Sequence, residues 1–402
     1  MFRRIYLDNS ATTAIDPEVL EAMMPFLTEN FGNASSIHHF GQVTRSAVDR
    51  ARHQVASLLN ARPNEIVFTS GGTESNNLAI RGLIESHLES PLYNKDNSSD
   101  LKPRIITSAI EHPAVKEVCS DLEKRGHVEV VRLPVYDDGI VRVEDVSAAI
   151  TPESILISIM AANNEIGTLQ PIAEIGKIVR GLRADGQKIW FHTDAVQAAG
   201  KIPVDVEEIG CDLLSISGHK IHAPKGIGAL YIRRGTRLHS QNIGGRQERG
   251  IRGGTEPVPL IAALGAAAEL AGNRLETVSA KMRELRDSLE DRIFENIEGS
   301  TLNGSVDGRL PSISNISFSG IEGEGLLINL DMQGIAVSTG SACSSGSLEP
   351  SPVIRALANG DERARGAIRF SIGKDNSAED IDRLMDILPA SVANLRRLNV
   401  NA

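Results

Sequence analysis

Short apolar runs alternate with amphipathic helical patterns from about residue 60 to residue 235. The runs have the length of strands, and helix-period stretches such as Val115–Arg125 and Ile172–Arg183 lie between several of them. The predicted strands are Glu65–Thr69, Arg104–Thr107, Val128–Leu133, Ile155–Met160, Lys188–His192, Leu213–Ser217 and Ala229–Arg233. This alternation predicts an α/β fold with a mostly parallel seven-stranded sheet covered by helices. Ligands of such sheets bind at the carboxyl ends of the strands.

The pattern changes from Glu256 onward, where a long helical region reaches about Glu298 and short strands and helices follow. We therefore predict a large domain at residues 16–259. A smaller α+β domain is predicted from residues 1–15 and 260–402, since a chain of 402 residues is too long for one ordinary core. The polar segment Glu89–Pro103 is predicted to be an exposed loop.

Charge and hydropathy argue against two classes of partner. The net charge is −10 and no stretch is rich in Lys and Arg, so we expect no nucleic acid to bind. The most apolar stretch, Leu260–Gly272, is interrupted by Glu269 and is too short to span a bilayer. Two arginines near the N-terminus have no apolar segment behind them, which argues against a secretory signal.

The three cysteines, Cys119, Cys211 and Cys343, fit neither a disulfide framework nor a metal-type spacing. We expect a reducing, cytoplasmic location. Burial is the commonest fate of a free cysteine, and it suits Cys119, on an amphipathic helix, and Cys211, at the edge of a strand.

Cys343 lies instead in a run of small residues at about 338–350, which predicts an exposed, mobile loop. After this loop, Ser351 and Pro352 are expected to cap a helix at Val353–Ala358. A cysteine in such a loop could collect an atom in a pocket and deliver it elsewhere.

Three candidate groups follow the predicted strands. Gly71-Gly72-Thr73 precedes a helix and could bind a phosphate through backbone N–H groups, although such a sequence can also be only a turn and a cap. Asp194 could be a cap, a metal ligand or the partner of a pyridinium nitrogen. Lys220, beyond a buried strand, could be an imine-forming amine or an ordinary surface lysine. Together, their spacing matches what proteins contribute to pyridoxal phosphate chemistry.

His219 and His222, on either side of Lys220, are possible metal ligands. Nothing nearby supplies carboxylate or thiolate ligands in a recognised zinc pattern, so we predict no fixed metal.

The sequence resembles the cysteine desulfurases of the NifS/IscS kind, in the class V aminotransferase group of fold-type I pyridoxal phosphate enzymes. The resemblance runs nearly end to end and implies the aspartate aminotransferase-like fold. Besides the Ser217–Lys220 motif and the Cys343 loop, the matching motifs are Tyr6–Thr13, Phe31–Ser36, Glu111-His112, Asn163–Gly167, Glu248–Thr255 and Arg369–Ser371.

The resemblance implies a role for each matching residue. Lys220 would hold the cofactor, Asp194 would pair with its ring nitrogen, and His112 would stack on the ring and serve as proton acceptor for Cys343. Gln197 and Asn164 would contact the ring oxygen and the substrate region, and Arg369 would bind the substrate carboxylate. Phosphate would be bound by Gly72, Thr73, Ser217 and His219, with Thr255 supplied by the other subunit of a homodimer.

The implied reaction takes sulfur from L-cysteine, leaves L-alanine and forms a persulfide on Cys343. The sulfur would pass to an iron–sulfur scaffold or another acceptor protein, and the persulfide could transiently ligate a nascent cluster. The chain ends at Ala402 without the longer tail of IscS-type enzymes, so the scaffold is left open. Alternatives are a selenocysteine lyase, a class V aminotransferase, or a non-catalytic partner that binds pyridoxal phosphate or carries sulfur.

Overall fold

The computed structural model describes residues 4–89, 102–340, 350–357 and 360–400. Its strands are β1 (Ile5–Tyr6), β2 (Ile66–Thr69), β3 (Arg104–Ser108), β4 (Glu129–Leu133), β5 (Ser154–Ser158), β6 (Trp190–Asp194), β7 (Leu213–Ser217), β8 (Gly228–Ile232), β9 (Ser300–Leu302), β10 (Ile313–Phe318), β11 (Ile335–Ala336) and β12 (Ala367–Ser371). Its helices are α1 (Pro17–Thr28), α2 (His39–Leu58), α3 (Gly72–Leu88), α4 (Pro113–Lys124), α5 (Val143–Ala149), α6 (Ile172–Ala184), α7 (Val206–Ile209), α8 (Val258–Asn273), α9 (Leu275–Asn296), α10 (Gly323–Met332), α11 (Pro352–Arg355), α12 (Gly360–Arg365) and α13 (Ala378–Val400).

The largest sheet has seven strands in the order β2-β8-β7-β6-β5-β3-β4. Strand β8 runs antiparallel to both of its neighbours, while the pairs among β7, β6, β5, β3 and β4 are parallel. All seven strands coincide with predicted runs, with ends displaced by at most two residues. The prediction of a mostly parallel sheet is therefore confirmed.

Helices cover both faces of this sheet, and this explains why its strands are apolar without alternation. Successive side chains of a strand point to opposite faces. Ile106 and Leu214 accordingly belong to one buried cluster. Their neighbours Ile105 and Leu213 belong to a second cluster on the other face.

A further buried cluster forms around two small sheets, one with the order β12-β10-β9 and one pairing β1 with β11. Side chains of α9, α10 and α13 complete it, and Ile5 and Leu7 of the N-terminal segment are buried in it. The predicted domain boundaries remain a prediction.

Several local predictions can be compared with the structure. Cys119 and Cys211 are both buried, as expected. Ser351 caps α11, because its Oγ accepts hydrogen bonds from the N–H groups of Val353 and Ile354. The helix ends at Arg355, earlier than expected, where Gly360 packs against the backbone of Ile354 so closely that a side chain would not fit.

Two predicted loops fall largely outside the described residues. These are the segment predicted around residues 89–103, of which 90–101 are not described, and the Cys343 loop, of which 341–349 are not described. Within the described ranges, no helix has the length and apolar character needed to cross a membrane. Within the same ranges, no cluster of three or more His, Cys, Asp or Glu side chains could hold a metal ion.

Candidate active site

A cavity of about 240 Å³ opens at the carboxyl ends of β2, β6 and β7. These ends meet at one edge of the sheet because β8, which lies between β2 and β7, is antiparallel to both. The residues lining the cavity include nearly every predicted site residue: Gly72, Thr73, His112, Asn164, Asp194, Gln197, Ser217, His219, Lys220 and Arg369. The tertiary structure thus brings together groups that lie far apart in the sequence.

The N-terminus of α3 forms one wall of the cavity. Its N-cap residue, Gly71, has a φ of 152° and contributes no side-chain cap, so the first N–H groups of the helix have no side-chain acceptor there. A Cβ on Gly72 would lie 2.8 Å from Cγ2 of Val196. The close contact between Gly72 and Val196 therefore requires glycine, and the helix dipole favours an anion at this N-terminus.

His219 and Ser217 line the cavity beside this helix end. Burial, reinforced by Lys220 and other nearby lysines, lowers the pKa of His219 to about 4. His219 is therefore neutral at pH 7, and its Nδ1 pairs with the Thr12 hydroxyl at 3.2 Å. A neutral ring can donate one hydrogen bond to an anion without adding charge.

The carboxylate of Asp194 lies at the end of β6 and is 6% exposed. Its Oδ2 accepts a hydrogen bond of 2.6 Å from Nδ2 of Asn76, and its Oδ1 accepts one of 3.0 Å from the N–H of Val196. These two donors fix the orientation of the carboxylate within the cavity.

The amine of Lys220 points into the cavity from a short 3-10 turn, Gly218–Lys220, that follows β7. Its Nζ donates to the carbonyl oxygens of Ser10 and Ala11, the second at 2.8 Å. The N-terminal segment therefore holds the amine in place, 210 residues away in sequence.

The guanidinium of Arg369 lies on another wall of the cavity, and its side chain is only 3% exposed. Nη2 donates to Oδ1 of Asp8 at 2.6 Å, and Nη1 donates to the carbonyl oxygen of Asn164 at 2.9 Å. Its Nε has no hydrogen-bond partner within the described part of the chain. The guanidinium is thus held in a fixed plane with one buried N–H available.

His112 caps α4, because its Nδ1 accepts a hydrogen bond of 3.1 Å from the N–H of Ala114. Burial lowers its pKa; the charge of Asp194 opposes this shift and that of Lys220 adds to it. In a neutral ring whose Nδ1 accepts, Nε2 carries the hydrogen. This arrangement makes His112 a hydrogen-bond donor and does not favour the predicted role as proton acceptor for Cys343, which remains a prediction.

Among the described residues, one predicted site residue does not line this cavity. Thr255 is exposed on the surface of its own chain, and its assignment to the partner's site remains a prediction. Cys343 lies outside the described residues. The chain on either side of its segment meets Glu165. Oε2 of Glu165 accepts a hydrogen bond of 2.5 Å from the Ser351 hydroxyl and lies 2.6 Å from the position that a Cβ on Gly340 would take.

The sequence prediction missed Asn76, Ser10 and Lys201, all of which contact predicted residues. Asn76 follows Gly72 by four residues, so helical spacing could have placed it on the cavity side of α3. The four-residue spacing between Gln197 and Lys201 is a similar signal. The contact of Ser10 with Lys220 has no local signal.

The Aminotransferase class-V family model matches residues 5–384, and the chain belongs to this family of proteins. Within the family it is similar to cysteine desulfurases. It is 48% identical to the cysteine desulfurase IscS of Dictyoglomus turgidum over 99% of this chain and 97% of that protein. These matches confirm the family expected from the sequence.

Two solved structures are similar over nearly the whole chain. A NifS-like protein has a TM-score of 0.88 and 35% identity, covering 98% of this chain and 100% of its own. SspA in complex with cysteine has a TM-score of 0.78 and 36% identity, covering 93% of this chain and 100% of its own. The expected fold is confirmed by these similarities.

Proposed function

We propose that this protein is a cysteine desulfurase that uses pyridoxal phosphate to convert L-cysteine into L-alanine and a persulfide on Cys343. One observation carries the proposal. The Lys220 amine, the Asp194 carboxylate, the open N-terminus of α3 and the Arg369 guanidinium line the same cavity. These are the groups that hold pyridoxal phosphate and an amino acid in proteins.

The residues of the cavity fit the cofactor on structural grounds. The uncapped N-terminus of α3 beside Gly72 suits a phosphate. Asp194, fixed by Asn76, offers a carboxylate to a ring nitrogen, and Lys220 offers the amine for covalent attachment. When bound, pyridoxal phosphate supplies a sink for the electron pair left when the substrate Cα loses its proton.

Arg369 is the group that binds the substrate carboxylate. Asp8 and the carbonyl of Asn164 already satisfy two edges of its guanidinium, and this prevents rotation. A carboxylate bound to a fixed guanidinium forms short, charge-assisted hydrogen bonds that orient the amino acid. The substrate amino group and Cα are thereby held in the cavity that Lys220 also lines.

Lys220 moves the proton at the substrate Cα. Its Nζ is anchored by the carbonyls of Ser10 and Ala11, so the amine stays within reach of the Cα of a substrate bound in the cavity. The carbonyl oxygens accept hydrogen bonds only, and they orient the amine without competing for its lone pair.

Cys343 takes the sulfur. Its thiolate sulfur bonds to the substrate sulfur while the substrate Cβ–S bond breaks, and the electron pair stays on Cβ, which takes up a proton to complete alanine. Atoms balance, because L-cysteine and a thiol yield L-alanine and a persulfide. We further propose that the protein is a cytoplasmic homodimer, with Thr255 completing the partner's phosphate site, and that the sulfur passes to an acceptor protein for cluster or thio-cofactor assembly.

The proposal is tested by Lys220→Ala and Cys343→Ala, with Cys119→Ala as the control at a buried cysteine. Lys220→Ala should lose both the visible absorbance of the bound cofactor and all activity. Cys343→Ala should keep the absorbance but release no sulfide from cysteine, and Cys119→Ala should keep both. After incubation of the parent protein with cysteine, mass spectrometry should show that Cys343 has gained one sulfur atom.

A Cys343→Ala protein that desulfurates cysteine at the parental rate would overturn the sulfur transfer. Alanine formation that requires a keto acid would indicate an aminotransferase. Poor turnover of cysteine beside fast turnover of selenocysteine would indicate a selenocysteine lyase.

A further inference from the structure

A second lysine near the cavity, Lys201, is buried and takes no part in the proposed reaction. It follows β6 in a compact turn, in which the N–H groups of Ala198 and Lys201 bond back to the carbonyls of Ala195 and Ala198. The residue is only 8% exposed. A lysine is almost never fully buried unless its amine is paired, because desolvating the ammonium is costly.

The Nζ of Lys201 donates a hydrogen bond of 2.7 Å to Oε1 of Gln197. The other end of this amide, Nε2, donates at 2.9 Å to the carbonyl oxygen of Ser10. That same carbonyl accepts a hydrogen bond from Nζ of Lys220. A continuous chain of hydrogen bonds therefore joins the buried lysine to the lysine proposed to hold the cofactor.

The direction of this chain follows from the chemistry of its groups. When protonated, Lys201 has three donors and no acceptor, so its ammonium can bond only to the oxygen of the Gln197 amide. The NH2 group of the amide must then face the opposite way, toward the cavity that Gln197 lines. The Ser10 carbonyl, which can only accept, requires the same orientation, so Lys201 and Ser10 hold the amide from its two ends.

The charge of Lys201 also acts on the residues that line the cavity. Burial, with smaller contributions from Lys220 and Arg369, lowers the pKa of Lys201 to about 7. Lys201 in turn helps to lower the pKa of His219. The ionisable groups that share the small cavity around Lys201 are Asp16, Lys220, His222, Arg274 and Lys374.

We propose that Lys201 is a positioning residue that fixes the amide of Gln197 so that its NH2 group faces the cofactor ring oxygen. This inference rests on the proposed function, since it assigns a second lysine to the same cofactor site. Lys201 touches neither substrate nor cofactor and acts only through Gln197 and through its charge.

The test is a double-mutant cycle on the pyridoxal phosphate-loaded full-length protein with Lys201→Met, Gln197→Leu and both together. The readout is the pH midpoint of the visible absorbance of the bound cofactor. The variant loses an oriented donor at the ring oxygen and also loses a nearby positive charge. Each loss favours the protonated form of the chromophore. Lys201→Met should therefore raise the midpoint by about one pH unit. The shift should be much smaller in the Gln197→Leu background.

Two further variants separate positioning from general effects. Lys374→Met removes a cation from the same small cavity, but its Nζ contacts Asp16 and Asp375 rather than Gln197, so the midpoint should stay unchanged. Lys201→Gln keeps a donor but loses the charge, and it should give an intermediate shift. Met replaces a buried charge with an apolar chain of similar length, so Lys201→Met should fold; if it does not, Lys201→Gln carries the same comparison.

A midpoint identical to that of the parent protein in Lys201→Met would overturn the inference. An equal shift with and without Gln197 would also overturn it, because Lys201 would then not act through the amide. If the parent protein itself never acquires the visible absorbance, the proposed function fails rather than this inference.

Discussion

The ion pair between Arg52 and Glu248 offers a sharp test of how the edge strand β2 of the main sheet is stabilised. Nη1 and Nη2 of Arg52 each donate at 2.7 Å to a different carboxylate oxygen of Glu248. The side chains are 10% and 3% exposed. Nη1 also donates to the carbonyl of Ile66, and Oε2 of Glu248 accepts from the N–H of Phe68, so the pair joins α2 to β2 and to the turn Gln247–Gly250.

This turn is strained, because Glu248 and Arg249 both have positive φ values, 46° and 59°. Such conformations cost of order 1 kcal/mol or more each and persist where the surroundings enforce them. Among the described residues, Arg52→Met would leave the buried Glu248 carboxylate with the N–H of Phe68 as its one hydrogen-bond donor. Breaking a buried pair in this way costs about 3–5 kcal/mol.

The assay is thermal unfolding of the apoprotein. With an unfolding entropy of about 2.1 cal/mol/K per residue over the chain, that loss corresponds to a Tm about 4–6 °C lower. The double variant Arg52→Met/Glu248→Gln should recover at least half of the loss, since it removes the unpaired charge. Arg292→Met, which breaks an exposed pair with Asp382, should change stability by less than about 1 kcal/mol. Additive losses in the double variant would refute this reasoning.

Two further predictions concern buried groups near the cavity. Burial raises the pKa of Glu111 from 4.5 to about 8, so its contribution to stability is complete below pH 4.5 and is lost as pH rises through about 8. In urea unfolding, the free energy of unfolding of Glu111→Gln relative to that of the parent should rise by roughly 1 kcal/mol per pH unit across that range. A difference between the two proteins that does not change with pH would contradict this. Asn76→Leu removes the 2.6 Å donor to Asp194 and should weaken cofactor binding about tenfold in a reconstitution titration, whereas Asn77→Leu, at a half-buried position that does not line the cavity, should not. Equal affinities for the two variants would rule out this role for Asn76.

The amino-acid pattern by itself determined the strands of the main sheet and the edge at which the site lies. A strand buried on both faces must be apolar throughout, so runs such as Leu213–Ser217 are visible without any partner being known. Because carboxyl ends of parallel strands share an edge, Asp194 and Lys220 could be expected to meet there. The cap at Ser351 was also visible, since capping involves only neighbouring residues.

Only the tertiary structure decided which groups hold the site residues in place. Asn76 and Asp194 are 118 residues apart, and Lys220 and Ser10 are 210 apart. Such contacts leave no periodic signal, because they depend on how whole strands and helices pack. The role of Lys201 was hidden for the same reason: a lysine in a turn is ordinarily exposed, and only the surrounding fold shows that this one is buried against Gln197.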